Sequence, residues 1–284
     1  MRKEITIFLF FILGALSCFS QRKITLNSLS DKPEIGLFMG GSYYLGDLNQ
    51  FSQFHRTKPA FGVVFRKNFN SRFAFKMNAF YGNLESFDSE SGNKYQRARN
   101  LTFSSRIIDF SGQIEFNFLP YTIGDEETPF SPYLFTGLSL FNFRPKGLLN
   151  GQWVDLQDYS TEGQGLLVGK KNYSNTQVAL PFGGGIKISL TSKIGLALEW
   201  GMRKTFTDYL DDVSTTYAPP EILKMVFGTE GVLVSNPNTN KNASGFDISG
   251  YQRGNSKRKD LYSFGGLILT FRFGNDNKCY FKSK

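Results

Sequence analysis

The sequence predicts an all-β chain: an eight-stranded antiparallel transmembrane β-barrel of the outer membrane, with long extracellular loops and mostly short periplasmic turns. Three observations carry the prediction. The chain opens on an apolar leader. Its composition, with 30 Phe, 13 Tyr, 29 Gly and a mean hydropathy of −0.27, suits pleated sheet better than helix. Eight stretches of about ten residues or more alternate apolar with polar or small residues, and the connections between them alternate in length.

The leader comes first. Arg2 and Lys3 precede the unbroken apolar run 5–16, and Cys18 and Ser20 supply small residues before Gln21. This is the layout of a secretory signal peptide, too short and wrongly flanked for a stable spanning helix. Cleavage is expected after Ser20, giving a signal peptide at 1–20. Cys18 raises a lipoprotein alternative, but in Ala15-Leu16-Ser17 the Leu of a lipobox stands one place too late. Loss of Arg2, Lys3 and Glu4 leaves 31 basic and 23 acidic side chains, a net charge near +8. On an exported chain that charge suits anionic lipid, lipopolysaccharide or an acidic partner surface, and no nucleic acid. Cys279 becomes the only cysteine of the mature chain, which excludes an intramolecular disulfide framework. No later stretch approaches the run of about 20 apolar residues that a spanning helix needs.

The strands follow in order. In 34–44, Ile35, Leu37, Met39 and Tyr43 share a face opposite Glu34, Gly36, Gly40 and Ser42. In 59–69, Phe61, Val63, Phe65 and Phe69 oppose Ala60, Gly62, Arg66 and Asn68. In 72–82, Phe73, Phe75, Met77 and Tyr81 oppose Ala74, Lys76, Asn78 and Gly82. In 103–119, Ile108, Phe110, Ile114, Phe116 and Phe118 oppose Asp109, Ser111, Gln113, Glu115 and Asn117. The stretch 132–143 is apolar on both faces, so its facing is left open. In 177–190, Val178, Leu180, Phe182, Ile186, Ile188 and Leu190 oppose Gln177, Lys187, Ser189 and small residues. In 193–203, Ile194, Leu196, Leu198, Trp200 and Met202 oppose Gly195, Ala197, Glu199 and Arg203. The last strand, 261–273, sets Leu267, Leu269, Phe271 and Phe273 against Gly266, Thr270 and Arg272.

Strand length and the polar face separate a barrel from a secreted β-sandwich. Sandwich strands usually run nearer five or six residues, whereas about ten tilted residues cross a bilayer. A sandwich would put Arg66, Lys76, Asp109, Glu115, Lys187, Glu199 and Arg272 in bulk water. A small barrel puts them inside, where charges pair and glycines make room. Long connections are expected at 45–58, 83–102, 144–176 and 204–260. Tight turns are expected at Asn70-Ser71 and Thr191-Ser192, and 120–131 is an imperfect, intermediate one. Both termini then fall on the short-turn, periplasmic side. Closure removes the open edge that a bilayer penalises. The boundaries expected are a periplasmic N-terminal segment at 21–33, the barrel at 34–273 and a periplasmic tail at 274–284.

Motifs that could carry chemistry are few. His55 is the only histidine, in a polar loop with no visible third partner for a Ser–His pair, and reads as a solvated loop side chain. GQGLLVGKK, 163–171, has the wrong glycine spacing for a phosphate loop, and Lys171 stands where Ser or Thr is needed. PFGGGIK, 181–187, reads as strand glycines facing a crowded lumen or a neighbouring backbone. In GMRKTFTDYLDDVSTTYAPPE, 201–221, Asp208, Asp211 and Asp212 lack the alternating ligands and central Gly of a calcium loop. They are expected to anchor a loop by hydrogen bonds at a strand exit. The run Lys257-Arg258-Lys259 reads as a solvated flank or a contact for lipopolysaccharide phosphates. No catalytic residue, cofactor site or metal site is assigned, and the chain is expected not to be an enzyme.

Four segments, EIGLFMGGSYYLGDLNQ, FSPYLFTGLSLFNFRPKG, WVDLQDYSTEGQGL and GMRKTFTDYLDDVSTTY, resemble the PorG family of the type IX (Por) secretion system. The resemblance runs in order from about Glu34 to Phe273, and the TFTDYLDDVSTTY segment is its most specific part. It implies a non-catalytic outer-membrane barrel that joins the periplasmic PorK/PorN ring to the membrane, in a machine that exports proteins and supports gliding motility. The stretch 222–256 matches nothing in that family. A small OmpA-like porin or surface adhesin stays open as an alternative, with a lipid-modifying barrel enzyme behind it. Cys279, in the tail NDNKCYFKSK, is the one residue expected to bind a partner. In an oxidising periplasm it can pair only with another chain or stay a free thiol.

Overall fold

The computed structural model describes residues 32–50, 52, 54–238 and 248–273. The leader with Cys18, and the tail with Cys279, therefore lie outside the described residues. The strands are β1 (Pro33–Leu45), β2 (Lys58–Asn68), β3 (Phe73–Phe87), β4 (Thr102–Asn117), β5 (Phe130–Leu149), β6 (Gln152–Asp155), β7 (Thr176–Ser189), β8 (Ile194–Thr205) and β9 (Leu261–Arg272). Each pairs antiparallel with its neighbours in the order β4-β3-β2-β1-β9-β8-β7-β5, and β4 pairs with β5 to close the ring. β6 is a hairpin partner for the far end of β5 and stands outside the ring. The fold is thus a closed eight-stranded antiparallel barrel.

Alternation sorts the side chains as the pattern requires. Outside stand Leu37, Met39, Phe61, Val63, Met77, Phe110, Leu138, Leu198 and Leu267, each about half exposed or more. An apolar band of this size in water would forfeit about 25 cal/mol for every Å², and its natural solvent is lipid. Inside, Arg66, Lys76, Asp109, Glu115, Lys187 and Glu199 are all buried. The two-faced strand β5 is resolved too. Leu134, Leu138 and Leu140 face out, while Tyr133, Phe135, Phe141 and Phe143 fill the lumen. Both of its faces are apolar because this lumen is partly aromatic.

The turns at one end are tight. Asn70 Oδ1 accepts from the backbone N–H of Arg72 and of Phe73, both at 2.8 Å. Thr191 Oγ1 does the same for Lys193 and Ile194. The third connection at that end, 118–129, turns inward: Tyr121 and Ile123 are buried. A Cβ added at Gly195 would lie 2.9 Å from Ile123 Cδ1 and 3.0 Å from the Tyr121 hydroxyl. That loop is a stopper, and its length is what lets it reach back into the mouth.

At the other end the strands run on past the expected span. β3 and β5 run on to Phe87 and Leu149, several residues past the expected ends at 82 and 143. The long connections carry a short helix, Lys94–Arg99, and a longer one, Pro220–Ser235, broken at Gly228 where φ is +68°. No helix among the described residues is long and apolar enough to cross a membrane.

Candidate functional site

From the tight-turn end upward, the lumen is built in layers. The first is ionic. Arg66 donates to Glu34 Oε2 at 2.8 Å and to both oxygens of Glu115 at 3.0 and 3.1 Å. Glu115 also faces Lys76 Nζ at 3.6 Å and holds Lys187. Lys76 continues to Glu199, which accepts from the Tyr133 hydroxyl at 2.5 Å. Three carboxylates, Glu34, Glu115 and Glu199, thus balance three cations, Arg66, Lys76 and Lys187. Aromatic faces cover the ammonium groups, Lys76 over Phe135 at 4.0 Å and Lys187 over Tyr133 at 4.4 Å. The strand glycines of β7 exist for this crowding: a Cβ at Gly185 would lie 2.9 Å from the Tyr133 ring.

The next layer turns aromatic. Asp109 accepts from the Ser139 and Tyr262 hydroxyls at 2.6 and 2.7 Å. Arg203 lies 3.8 Å from it, between the Phe264 and Phe80 rings. Phe38 stacks on Phe80, and Phe141, Tyr262 and Phe264 complete the plug. With the stopper below and this layer above, charged side chains such as Lys76, Asp109 and Glu115 reach 0% exposure. The lumen is a packed core and not a pore.

Above it the long connections close into a cap, and the aspartate-rich signature is its keystone. Asp211 accepts from the Val213 N–H at 3.0 Å and from the Tyr44 hydroxyl of β1. Tyr44 also reaches Asp260 at 3.4 Å, whose other oxygen accepts from the Leu210 N–H at 3.0 Å. Asp212 accepts from the hydroxyls of Thr161 and, at 2.7 Å, Tyr173. Glu162 accepts from the Ser214 and Thr215 N–H groups, each at 2.9 Å, and from the Thr215 hydroxyl at 2.6 Å. Arg253 ties Glu162 at 3.2 Å to Asp212 at 3.7 Å. Arg99 grips Asp88 with two bonds, of 2.7 and 2.8 Å.

The carboxylates of this cap are short of cations. Burial pushes the Asp208 carboxyl up to about 7, with the neighbouring Asp47 adding to the rise and the nearby Lys259 opposing it. Burial pushes Asp212 up to about 6 against the pull of Arg253. Asp211 and Asp260 lie well above the ordinary carboxylate range, through burial and then mutual and neighbouring repulsion. At neutral pH part of this cluster is protonated.

The residues singled out by sequence fall as follows. Asp211 and Asp212 anchor the strand exit by hydrogen bonds, as expected, whereas neither carboxylate oxygen of the buried Asp208 has a hydrogen-bond partner. Among the described residues no group of three or more His, Cys, Asp or Glu side chains is placed to hold a metal ion. His55 lies on the cap's flank, its Nε2 2.7 Å from Glu90 Oε2. In GQGLLVGKK, Lys170 is a tie, donating to the carbonyls of Glu162 at 2.7 Å and Thr216 at 3.1 Å. Lys257, Arg258 and Lys259 are exposed on the cap. Sequence reasoning missed Glu162, Arg253 and Arg99, the ion-paired struts of the cap. It also missed the stopper, whose only signal was an inner turn too long for its place.

Solved structures of similar shape include Neisserial surface protein A, NspA (10% identity, TM-score 0.41, 85% of this chain and 97% of that one). The attachment invasion locus protein Ail of Yersinia pestis, in complex with the heparin analogue sucrose octasulfate, matches at 10% identity and TM-score 0.41, over 86% and 99% of the two chains. OprG from Pseudomonas aeruginosa matches at 9% and 0.36, over 86% and 98%. No curated protein matches the sequence. Residues 9–230, most of the chain, match the family described as a domain of unknown function, DUF6089. This closed eight-stranded β-barrel chain is a member of the DUF6089 family.

Proposed function

We propose that the protein is a non-enzymatic, non-conducting outer-membrane component of the type IX secretion system, anchoring a PorK/PorN-like periplasmic ring to the membrane. One observation carries the reading. Segments that resemble the PorG family supply the keystones of a cap over a sealed lumen: Tyr44, Thr161 with Glu162, and Asp211 with Asp212. A barrel filled by balanced ion pairs suits a rigid anchor better than a channel. The short turns support an orientation with both termini periplasmic and the cap outside.

Deletion of the gene tests the reading directly. Secretion of proteins bearing a C-terminal sorting domain should stop, and the ring should no longer sediment with outer membranes. Intact secretion with altered adhesion would instead favour a surface adhesin, which the exposed cap residues Tyr95, Met225, Val226 and Tyr251 support as a second reading. An OmpA-like porin would show single-channel conductance in planar bilayers, against the sealed lumen. A lipid-modifying enzyme would show altered lipid A, reproduced by His55→Ala. Protease added to whole cells should cut the cap and spare both termini.

Cys279 is the proposed covalent link to the ring. The tail also carries Lys278, Lys282 and Lys284, which favour encounter with an acidic partner surface. Non-reducing electrophoresis of envelopes should show a band heavier than the monomer, absent in Cys279→Ser and after reduction. Monomer alone, with thiols blocked at lysis, refutes the link.

A further inference from the structure

The barrel wall carries a feature that neither anchoring nor the cap uses. Between β2, β3 and β4 a notch of about 410 Å³ opens in the outward face, lined by Phe61, Gly62, Val63, Ala79, Tyr81 and Ile108. It is a shallow, open depression, formed because Ala79 carries only a methyl group between large outward neighbours; Gly62 faces the lumen, against Phe80. These residues sit side by side in register, Phe61 against Tyr81, Val63 against Ala79, and Tyr81 against Ile108.

Immediately above the notch the wall changes character. Two residues beyond Ile108 on the same face of β4 stands Arg106, about 7 Å further along the strand. Its partner across the β4–β5 pair is Arg144, also exposed and outward. Like charges directly opposite one another destabilise a sheet. Lys146 follows on β5, outward again. Asp155 of β6 is the carboxylate that serves this group, at 3.0 Å from Arg144 and 3.8 Å from Lys146. Three cations against one carboxylate leave two positive charges. The nearby Glu85 is engaged by Arg56 at 2.5 Å and Lys58 at 2.9 Å. Arg144 keeps 52% of its side chain exposed.

We propose that this face is a binding site for a phosphorylated glycolipid of the outer leaflet. An acyl chain lies in the Ala79 notch, and a headgroup phosphate bridges Arg106 and Arg144. Charge complementarity selects the occupant. An apolar slot in lipid accepts any acyl chain, but a paired guanidinium at the polar boundary calls for an anion, and planar forks suit phosphate. Asp155 relieves Arg144 and Lys146 only in part, and the facing Arg106–Arg144 pair keeps excess positive charge. The site takes the cap end as the outer one, but its chemistry is tested apart from that orientation and from any role in secretion.

The test uses the folded full-length barrel in detergent, with lipid retention read by native mass spectrometry. The probes are bisphosphorylated lipid A, dephosphorylated lipid A and phosphatidylethanolamine. Retention of bisphosphorylated lipid A should exceed both others, and Arg106→Gln with Arg144→Gln should lower it by about tenfold, the worth of one lost charge-assisted contact. Ala79→Leu, which fills the notch, should lower retention of both lipid A forms. Lys257→Gln with Arg258→Gln, on the cap, should change nothing. Each variant is first checked for the shift between unboiled and boiled mobility that marks a closed barrel. Wild-type retention by the arginine double variant, or equal retention of dephosphorylated lipid A, overturns the proposal. Should Ala79→Leu fail to fold, the arginine pair decides alone.

Discussion

The lumen and the cap are both buried and both densely charged, yet they solve the cost of burial in opposite ways. In the lumen, Glu34, Glu115 and Glu199 meet Arg66, Lys76 and Lys187 one for one. In the cap, Asp47, Asp208, Asp211 and Asp260 crowd together; burial raises all four, and repulsion from neighbouring carboxylates adds to it, from Glu162 at Asp47 and from fellow aspartates at the other three. Unpaired burial of a charge is too expensive to persist, so a buried carboxylate either finds a cation or takes up a proton. The membrane-embedded half chose cations, which suits a permanent strut. The exposed half holds protons, which makes its stability depend on the medium.

That difference is testable by removing one carboxylate from each region. Glu115→Ala strands Arg66, Lys76 and Lys187 in a dry lumen, so it should cost about 3–5 kcal/mol, the usual penalty for breaking a buried pair from one side. Urea unfolding of the barrel in detergent, read by loss of the unboiled mobility, measures it. Asp260→Asn in the cap should be neutral or stabilising at pH 8 in the same assay, because it removes repulsion while the amide oxygen can still accept from the Leu210 N–H. A loss at Asp260 as large as that at Glu115 would show that the cap cluster is in fact cation-balanced.

The next effect lies on the outward face. Leu198 is 57% exposed to what should be lipid, while its neighbour Ala197 is buried in the wall's inner side. Leu198→Arg should cost roughly 2–4 kcal/mol if it sits near the midplane, and impair assembly into vesicles. Ala197→Leu should fail for a different reason, lack of room. Efficient insertion of Leu198→Arg would invert the inside–outside assignment on which the comparison of lumen and cap depends.

How far the sequence reached follows from which forces are local. Alternation is a local signal, so the eight barrel strands and their facing were legible, Lys187 against Ile186 and Ile188 as clearly as Glu115 against Ile114 and Phe116. The tight turns were legible from Asn70 and Thr191, whose side chains satisfy backbone groups two and three residues away. The two-faced β5 was not, because Phe141 and Phe143 face a lumen whose polarity changes with height. The cap was read only as an anchored loop. Its partners lie far apart in sequence: Tyr44 with Asp211, Glu162 with Thr215, Arg253 with Asp212. No periodicity encodes such pairings, and Glu162 and Arg253 look like any loop charges until the fold brings them together. The helix Pro220–Ser235 was missed for a related reason. Its Gly228 and Gly231 argue against a helix locally, and its packing against the cap decides otherwise, with Leu223 and Val234 buried.

The smallest predicted effect is the pH dependence of the cap, and its sign is fixed by the direction of the shifts. Asp208, raised to about 7 when buried, returns toward the ordinary value near 4 when the cap opens. A carboxyl raised in the closed form binds more protons there than in the open form, so closure weakens as pH rises. The contribution is fully present below about pH 4, is lost between about 4 and 7, and is flat above. Asp211 and Asp260, raised in the same direction, deepen the loss and extend it upward. Lys259 near Asp208 opposes it, as do Arg99 and Arg258 near Asp47. Solvent at the cap's edge screens part of the effect, which leaves an expected opening constant about tenfold larger at pH 8 than at pH 5, one pKa unit's worth of free energy. Hydrogen exchange of the amides of 208–216, corrected for the intrinsic pH dependence of exchange, reads this directly. Amides of β8 and β9 in the membrane serve as the internal standard and should not respond. Asp208→Asn should flatten the slope while leaving protection at pH 5 near wild type. Protection that instead increases with pH would mean these carboxylates are ionised and paired in the closed cap, and the contrast with the lumen would be lost.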